Sequence, residues 1–95
     1  MRIGEVIGTV TLSRWHPSMT GACYKLVVPL SLADLRGQTE ERAEEFTVYD
    51  ELGAGIGHRI AISEGAEAAQ PFQPNPKPID AYNAAILDAI HLPSA

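Results

Sequence analysis

Along residues 2–13, apolar or glycine positions alternate with mostly polar ones. This is the pattern of a β-strand with one face toward a core. Glycine on the inward face of a strand is typical of bending or of close packing. We therefore expect residues 2–13 to form the first strand of a small, curled sheet. The positions expected to face inward are Gly4, Val6, Gly8, Val10 and Leu12.

Three further apolar segments predict strands at residues 23–30, 46–49 and 58–63, each bounded by turn-forming or charged residues. Pro29 lacks an amide hydrogen and places the end of the second strand at an edge or a bulge. The side chains expected to share one face of each strand are Tyr24, Leu26, Val28 and Leu30, then Phe46 and Val48, then Ile60 and Ile62.

The C-terminal segment predicts a helix. Four prolines in residues 71–78 indicate an extended connector, and Asp80 follows it at a position where its carboxylate would cap the first turn. Pro93 would end the helix. The apolar stripe of this predicted helix consists of Ile79, Ile86, Ala89 and Ile90.

Between these elements, residues 31–45 are polar and charged, which predicts a solvated excursion with one helical turn. Residues 64–70 are small and favour a short turn or helix. The predicted fold class is mainly β: a small five-stranded OB-like β-barrel with a C-terminal α-helix. Ninety-five residues make a single domain, residues 1–95.

The formal net charge is −5 and the seven basic residues form no stripe, which argues against a nucleic-acid partner. The one cysteine, Cys23, cannot form an intrachain disulfide and is interpreted as a small buried hydrophobe of a protein from a reducing compartment. No apolar run approaches the ~18 residues of a membrane-spanning helix. We expect a soluble, cytoplasmic protein.

Residues 50–57, Asp-Glu-Leu-Gly-Ala-Gly-Ile-Gly, place three glycines within five positions of a tight connection. A phosphate-binding loop would need Lys and Ser or Thr after its last glycine, or a helix beginning within it, and here His58 and Arg59 open a strand-like segment. A structural turn and a loop that contacts another subunit both remain open. Trp15, the one tryptophan, is either an interface anchor or a cap over the barrel end.

The sequence suggests no catalytic group, metal site or cofactor. His16, His58 and His91 are far apart in the chain and lack the spacing of metal ligands. A nucleophile with a base beside it cannot be identified, which disfavours a small cytosolic enzyme.

Four motifs resemble those of the pentameric vertex proteins of bacterial microcompartment shells, the class that includes the carboxysome and ethanolamine-utilisation vertex subunits. The opening residues 4–10 match the family's G-x-V-x-G-x-V strand, and Thr20-Gly21 falls at its turn before the second strand. Residues 50–57 match its D-x-[VL]-G-A-G-x-G motif. Residues 77–81, Lys-Pro-Ile-Asp-Ala, match its closing helix start, followed by Ile86 and Asp88.

The resemblance implies a structural protein without enzymatic activity or cofactor. Five copies would form a pyramid with a narrow axial pore and cap the fivefold vertices of an icosahedral shell. Its other partners would be hexameric and pseudohexameric shell proteins, with no nucleic acid and no membrane. The residues expected at the pore or the subunit interface are Gly53, Ala54, Gly55, Gly57, Gly65, Ala66 and Glu67.

The chain departs from the family where relatives carry a Gly-Ser-Ser/Ala-Ala-Arg run, because residues 65–69 read Gly-Ala-Glu-Ala-Ala and Ala69 replaces the arginine. Five copies of Glu67 near the axis would form a carboxylate ring that favours cations. The alternative function is an OB-type binding domain for single-stranded nucleic acid or oligosaccharide, a class that needs a basic groove with stacking aromatic residues.

Overall fold

The computed structural model describes residues 1–38, 43–75 and 77–93 of the chain. Five strands and three short helices follow one another along these residues. In chain order they are β1 (Arg2–Val10), a 3₁₀ helix (Pro17–Met19), β2 (Tyr24–Leu30), α1 (Leu32–Leu35), β3 (Phe46–Tyr49), β4 (Arg59–Glu64), a second 3₁₀ helix (Gly65–Phe72) and β5 (Ala81–Ile86).

The strands close into a barrel in the order β1-β2-β3-β5-β4. Neighbouring strands are antiparallel except for β3 and β5, which are parallel. Closure leaves each strand with a partner on both sides, so the sheet has no free edge strand. The predicted mainly-β fold with a five-stranded barrel is confirmed.

The barrel interior is filled by small and branched apolar side chains from every strand and from the glycine loop between β3 and β4. Five of them are fully buried: Val6, Val27, Val48, Ile60 and Ile62. Each such side chain stabilises the fold by roughly 1.5–3 kcal/mol when it leaves water. The whole cluster consists of Val6, Val27, Val48, Ala54, Ile60, Ile62 and Ala81, with Phe46 packed against it.

Gly4 shows why a glycine lies on the inward face of β1. A Cβ atom built there would lie 2.4 Å from Val27 Cγ1 and 2.8 Å from Ile62 Cδ1, closer than real Cβ contacts. The expected close packing therefore holds at Gly4. At Gly8 a Cβ would make an ordinary contact, 3.6 Å from Leu26 Cβ.

Two expectations about the first hairpin were wrong. β1 ends at Val10 rather than residue 13, because its last partner on β2 is Tyr24, and Leu12 is 42% exposed. The alternation of β2 is also interrupted: Val27 is fully buried, whereas Leu26 and Leu30 are only half-buried. Opposite this point β1 carries one extra residue, Ile7, because Val6 pairs with Val27 and Gly8 pairs with the adjacent Leu26, so the bulge lies on β1 and not on β2.

The predicted C-terminal helix was wrong as well. Residues 81–86 form β5, which pairs with β4 over most of its length and with β3 at Tyr82. The alanine-rich segment favours a helix by local propensity, but pairing with two strands closes the barrel and overrides that preference. Asp80 caps no helix, and its backbone carbonyl instead accepts a hydrogen bond from Gly65 N at 2.8 Å.

The excursion after β2 contains the single helical turn that was predicted, α1, which packs against β2. Ser31 and Asp34 form a capping box, in which each side chain accepts a hydrogen bond from the other residue's backbone amide. Residues 39–42 of the excursion lie outside the described part of the chain.

Candidate subunit-contact loops

The glycine loop, residues 50–57, is held by the buried carboxylate of Asp50 at the end of β3. This side chain is 2% exposed. It accepts hydrogen bonds from Leu52 N and Ala54 N, both at 2.9 Å, and from Asn83 Nδ2 on β5, also at 2.9 Å. Bonds to an ionised acceptor are stronger than neutral ones, so Asp50 fixes the first half of the loop to the barrel.

The second half of the loop is fixed by the backbone of β1 and by a histidine. Gly57 N donates to Val6 O at 2.8 Å, and Val6 N donates to His58 O at 2.9 Å. Gly55 N donates to His58 Nδ1 at 2.8 Å. An accepting Nδ1 carries no proton, so this contact requires the neutral ring with its hydrogen on Nε2.

The three glycines of the loop differ in their backbone conformation. Gly53 and Gly57 have φ values of +76° and +91°, in the left-handed region that L side chains rarely adopt. Gly55 lies outside that region. Ala54 is 1% exposed and fills the barrel end, which anchors the middle of the loop in the core.

Two apolar side chains lie on the outer surface of this loop. Ile56 is 74% exposed and Leu52 is 49% exposed, and both are carried on a backbone with several fixed hydrogen bonds. A rigid loop with apolar side chains facing water is typical of a protein contact surface.

The second candidate segment, residues 65–69, begins the 3₁₀ helix Gly65–Phe72 at the opposite end of β4. Gly65 has a φ of +67°, Ala66 and Glu67 are exposed, and Ala68 is fully buried. The glycine loop precedes β4 and this segment follows it, so the structure separates the two groups of predicted site residues by the length of that strand.

A second cluster of aromatic side chains packs beside the barrel core. Tyr49 contacts Tyr24, Phe72 and Tyr82, with ring centroids 5.6, 5.1 and 6.3 Å apart. Lys77 donates a hydrogen bond to Ser18 O and places its Nζ 5.2 Å from the centre of the Phe72 ring. This lysine thereby joins the C-terminal connector to the first 3₁₀ helix.

Burial raises the pKa of all three tyrosines in this cluster above the ordinary value of 10.0. The carboxylate of Glu51 adds to the upward shift in the pKa of Tyr49 and Tyr82 because a negative charge opposes a second one nearby. The hydroxyl of Tyr24 is buried without a hydrogen-bond partner among the described residues.

Sequence reasoning missed Asn83 and the role of His58. Asn83 is fully buried and reaches Asp50 across 33 positions of sequence, which no local pattern reveals. The Asp at the start of a glycine-rich connection was the available signal, because Asp side chains often accept bonds from amides that follow them. Trp15 is 52% exposed, with its Nε1 3.4 Å from Thr20 Oγ1.

Within residues 1–38, 43–75 and 77–93, no group of three or more His, Cys, Asp or Glu side chains is placed to hold a metal ion. None of the helices in these ranges has the length and apolar character needed to cross a membrane. Cys23, expected to be buried, is exposed.

Solved structures with the same barrel are shell proteins of bacterial microcompartments. Gloeobacter violaceus CcmL superposes with a TM-score of 0.82 at 29% identity, covering 97% of this chain and 90% of that one. The GrpN pentameric microcompartment shell protein from Rhodospirillum rubrum superposes with a TM-score of 0.78 at 28% identity, covering 97% and 99%. The class defined by the fold is therefore that of the small-barrel shell proteins.

Sequence comparison agrees with the structural one. The carboxysome shell vertex protein CcmL of Gloeobacter violaceus is 36% identical over 90 residues, covering 95% of this chain and 85% of the relative. The sequence profile of the family "Ethanolamine utilisation protein EutN/carboxysome" matches residues 1–88. The chain belongs to this EutN/CcmL family, which confirms the resemblance predicted from its motifs.

Proposed function

We propose that this chain is a structural subunit of a bacterial microcompartment shell, and that five copies form a ring that caps a fivefold vertex. The observation that carries the proposal is the family match over residues 1–88, together with a barrel shared with a pentameric shell protein. A carboxysome shell vertex protein is among the curated relatives. The place of the chain in the cell is accordingly the microcompartment shell.

The mechanism is geometric. A flat layer of hexagonal units cannot close on itself, whereas pentagonal units introduce the curvature that closes it. We propose hexameric and pseudohexameric shell proteins as the neighbours of the ring. Cyclic symmetry requires a heterologous contact, in which one surface of a subunit meets a different surface of the next.

The two loop segments are the proposed sites of assembly. The glycine loop, with Gly53, Ala54, Gly55 and Gly57, is assigned to the subunit interface. The segment with Gly65, Ala66 and Glu67 is assigned to the pore rim. Exposure of Ala66 and Glu67 supports the second assignment, and five Glu67 carboxylates there would favour cations.

We infer a structural role without catalysis or nucleic-acid binding. Two of the chain's seven basic residues are already engaged, because Arg2 forms an ion pair with Glu64 and Lys77 donates to Ser18 O. A strongly basic groove is what single-stranded nucleic acid requires, and the net charge of −5 opposes one.

Native mass spectrometry of the purified chain tests the proposal. The expected result is one assembly with five times the mass of a single chain, stable at micromolar concentration. Coexpression with a hexameric shell protein should then give closed particles, and omission of this chain should give open or leaky ones. A monomer at micromolar concentration would refute the proposal.

A further inference from the structure

Gly55 is a glycine that the folded chain itself does not require. Its φ lies outside the left-handed region, and a Cβ built there would make only ordinary contacts, 3.7 Å from the imidazole ring of His58. By contrast, Gly53 and Gly57 need their positive φ and Gly4 has no room for a side chain. A bare backbone without an internal reason indicates that something outside the described chain approaches it closely.

The surroundings of Gly55 are already arranged for such a contact. Leu52 and Ile56 are exposed on either side of it, and Asp50, Val6 and His58 fix the backbone between them. Binding through a preorganised loop avoids the entropy cost of ordering it. Glu51 adds an exposed negative charge next to Leu52.

A surface of matching chemistry lies on a different part of the same chain. A groove of about 350 Å³ runs along the first hairpin and the loop after β1. Its apolar wall includes Leu12 and Trp15, which are 42% and 52% exposed, and the buried Met19. Lys25 lines the same groove and brings a positive charge opposite in sign to Glu51.

We propose that the glycine loop of one subunit inserts into this hairpin groove of the next, with Ile56 against Trp15 and Leu12 and with Glu51 beside Lys25. The inference rests on the proposed homopentamer and names its contact. The loop and the groove share no residue, as a heterologous ring contact requires. Gly55 allows the neighbouring subunit to approach the loop backbone.

The first experiment compares matched substitutions by measuring the chain concentration at which the ring dissociates. Ile56→Asp should raise that concentration by roughly 30-fold or more, as loss of a central apolar anchor does. The control Leu32→Asp changes another exposed apolar side chain, 53% exposed, on α1 and should leave that concentration unchanged. Gly55→Ala should weaken the ring, whereas Gly8→Ala, whose methyl group meets Leu26 within the chain, should not.

The second experiment tests the pairing of the two surfaces by exchanging charges. Glu51→Lys and Lys25→Glu should each weaken the ring by roughly 2–5-fold, the range for exposed ion pairs, and the double variant should recover wild-type assembly. Circular dichroism of each variant, recorded below its dissociation concentration, checks that the barrel is folded.

The outcomes separate this inference from the proposed function. A wild-type pentamer that is indifferent to Ile56→Asp and Gly55→Ala overturns the inference and leaves the pentamer standing. An intact Ile56→Asp ring that no longer enters shells also overturns it, because the loop then faces a hexameric neighbour. A monomeric wild type refutes the proposed function itself.

Discussion

Gly4 in the barrel and Gly55 in the glycine loop are both glycines, but the space around their backbones differs. At Gly4 a side chain would collide with Val27 and Ile62 of its own chain, whereas at Gly55 it would have room. Packing within the barrel thus explains why Gly4 has no side chain. Contacts within the single chain do not explain the glycine at position 55. We interpret the difference as one between residues that make the fold and residues that the proposed assembly uses.

Asp50→Ala is the substitution with the largest expected effect, because Asp50 joins the two regions. It would remove three hydrogen bonds and leave two backbone amides and the Asn83 amide without their acceptor. We expect the free energy of unfolding to fall by about 3–5 kcal/mol, because each buried donor left without an acceptor costs about 1–3 kcal/mol. Denaturant unfolding measures it, with Glu51→Ala as the exposed neighbouring control.

An unchanged unfolding free energy for Asp50→Ala would contradict the claim that its carboxylate holds the loop. Amide hydrogen exchange sharpens the test, because protection at Leu52 and Ala54 should fall first. Asp50→Asn keeps the shape but loses the charge, and we expect it to lie between wild type and Asp50→Ala.

Gly4→Ala tests the barrel side of the comparison. The added methyl group must displace Val27 and Ile62 in a packed core, which costs about 1–3 kcal/mol. Chemical unfolding of Gly4→Ala against Gly8→Ala isolates the collision, since both add one methyl group to β1. Equal stability of the two variants would show that the side chains around Gly4 can move to accommodate a methyl group at little cost.

His58→Ala tests the loop alone. It removes the acceptor of Gly55 N, a loss of about 1 kcal/mol for one neutral hydrogen bond. Exchange of the Gly55 amide should accelerate while the protection of β1 and β4 stays unchanged. Faster exchange throughout the barrel would mean that His58 supports the whole fold rather than the loop.

The tyrosines of the aromatic cluster make the stability of the fold depend on pH only under alkaline conditions. Because the pKa of Tyr24, Tyr49 and Tyr82 is raised above 10.0 in the folded state, the unfolded chain loses these protons first. Stability is therefore complete below pH about 10 and falls as the pH rises beyond it. Thermal unfolding from pH 8 to 11 measures this, and Tyr82→Phe should flatten the decline.

The strands could be predicted wherever burial follows a local period. Residues 46–49 and 58–63 were predicted closely, as Phe46–Tyr49 and Arg59–Glu64 show. Strand β5 could not be predicted, because Ala81–Ile86 favours a helix locally and becomes a strand only through its pairing with β3 and β4. The glycine loop was identified from its composition, but its attachment through Asn83 depends on a contact between distant residues.

A structure of the assembled protein at side-chain resolution would show whether the glycine loop forms the contact between subunits. We expect a ring of five chains in which residues 51–57 of each subunit lie against the next one, with Ile56 beside that neighbour's Trp15. A ring of another size, or a pentamer whose glycine loops face open solvent, would contradict it.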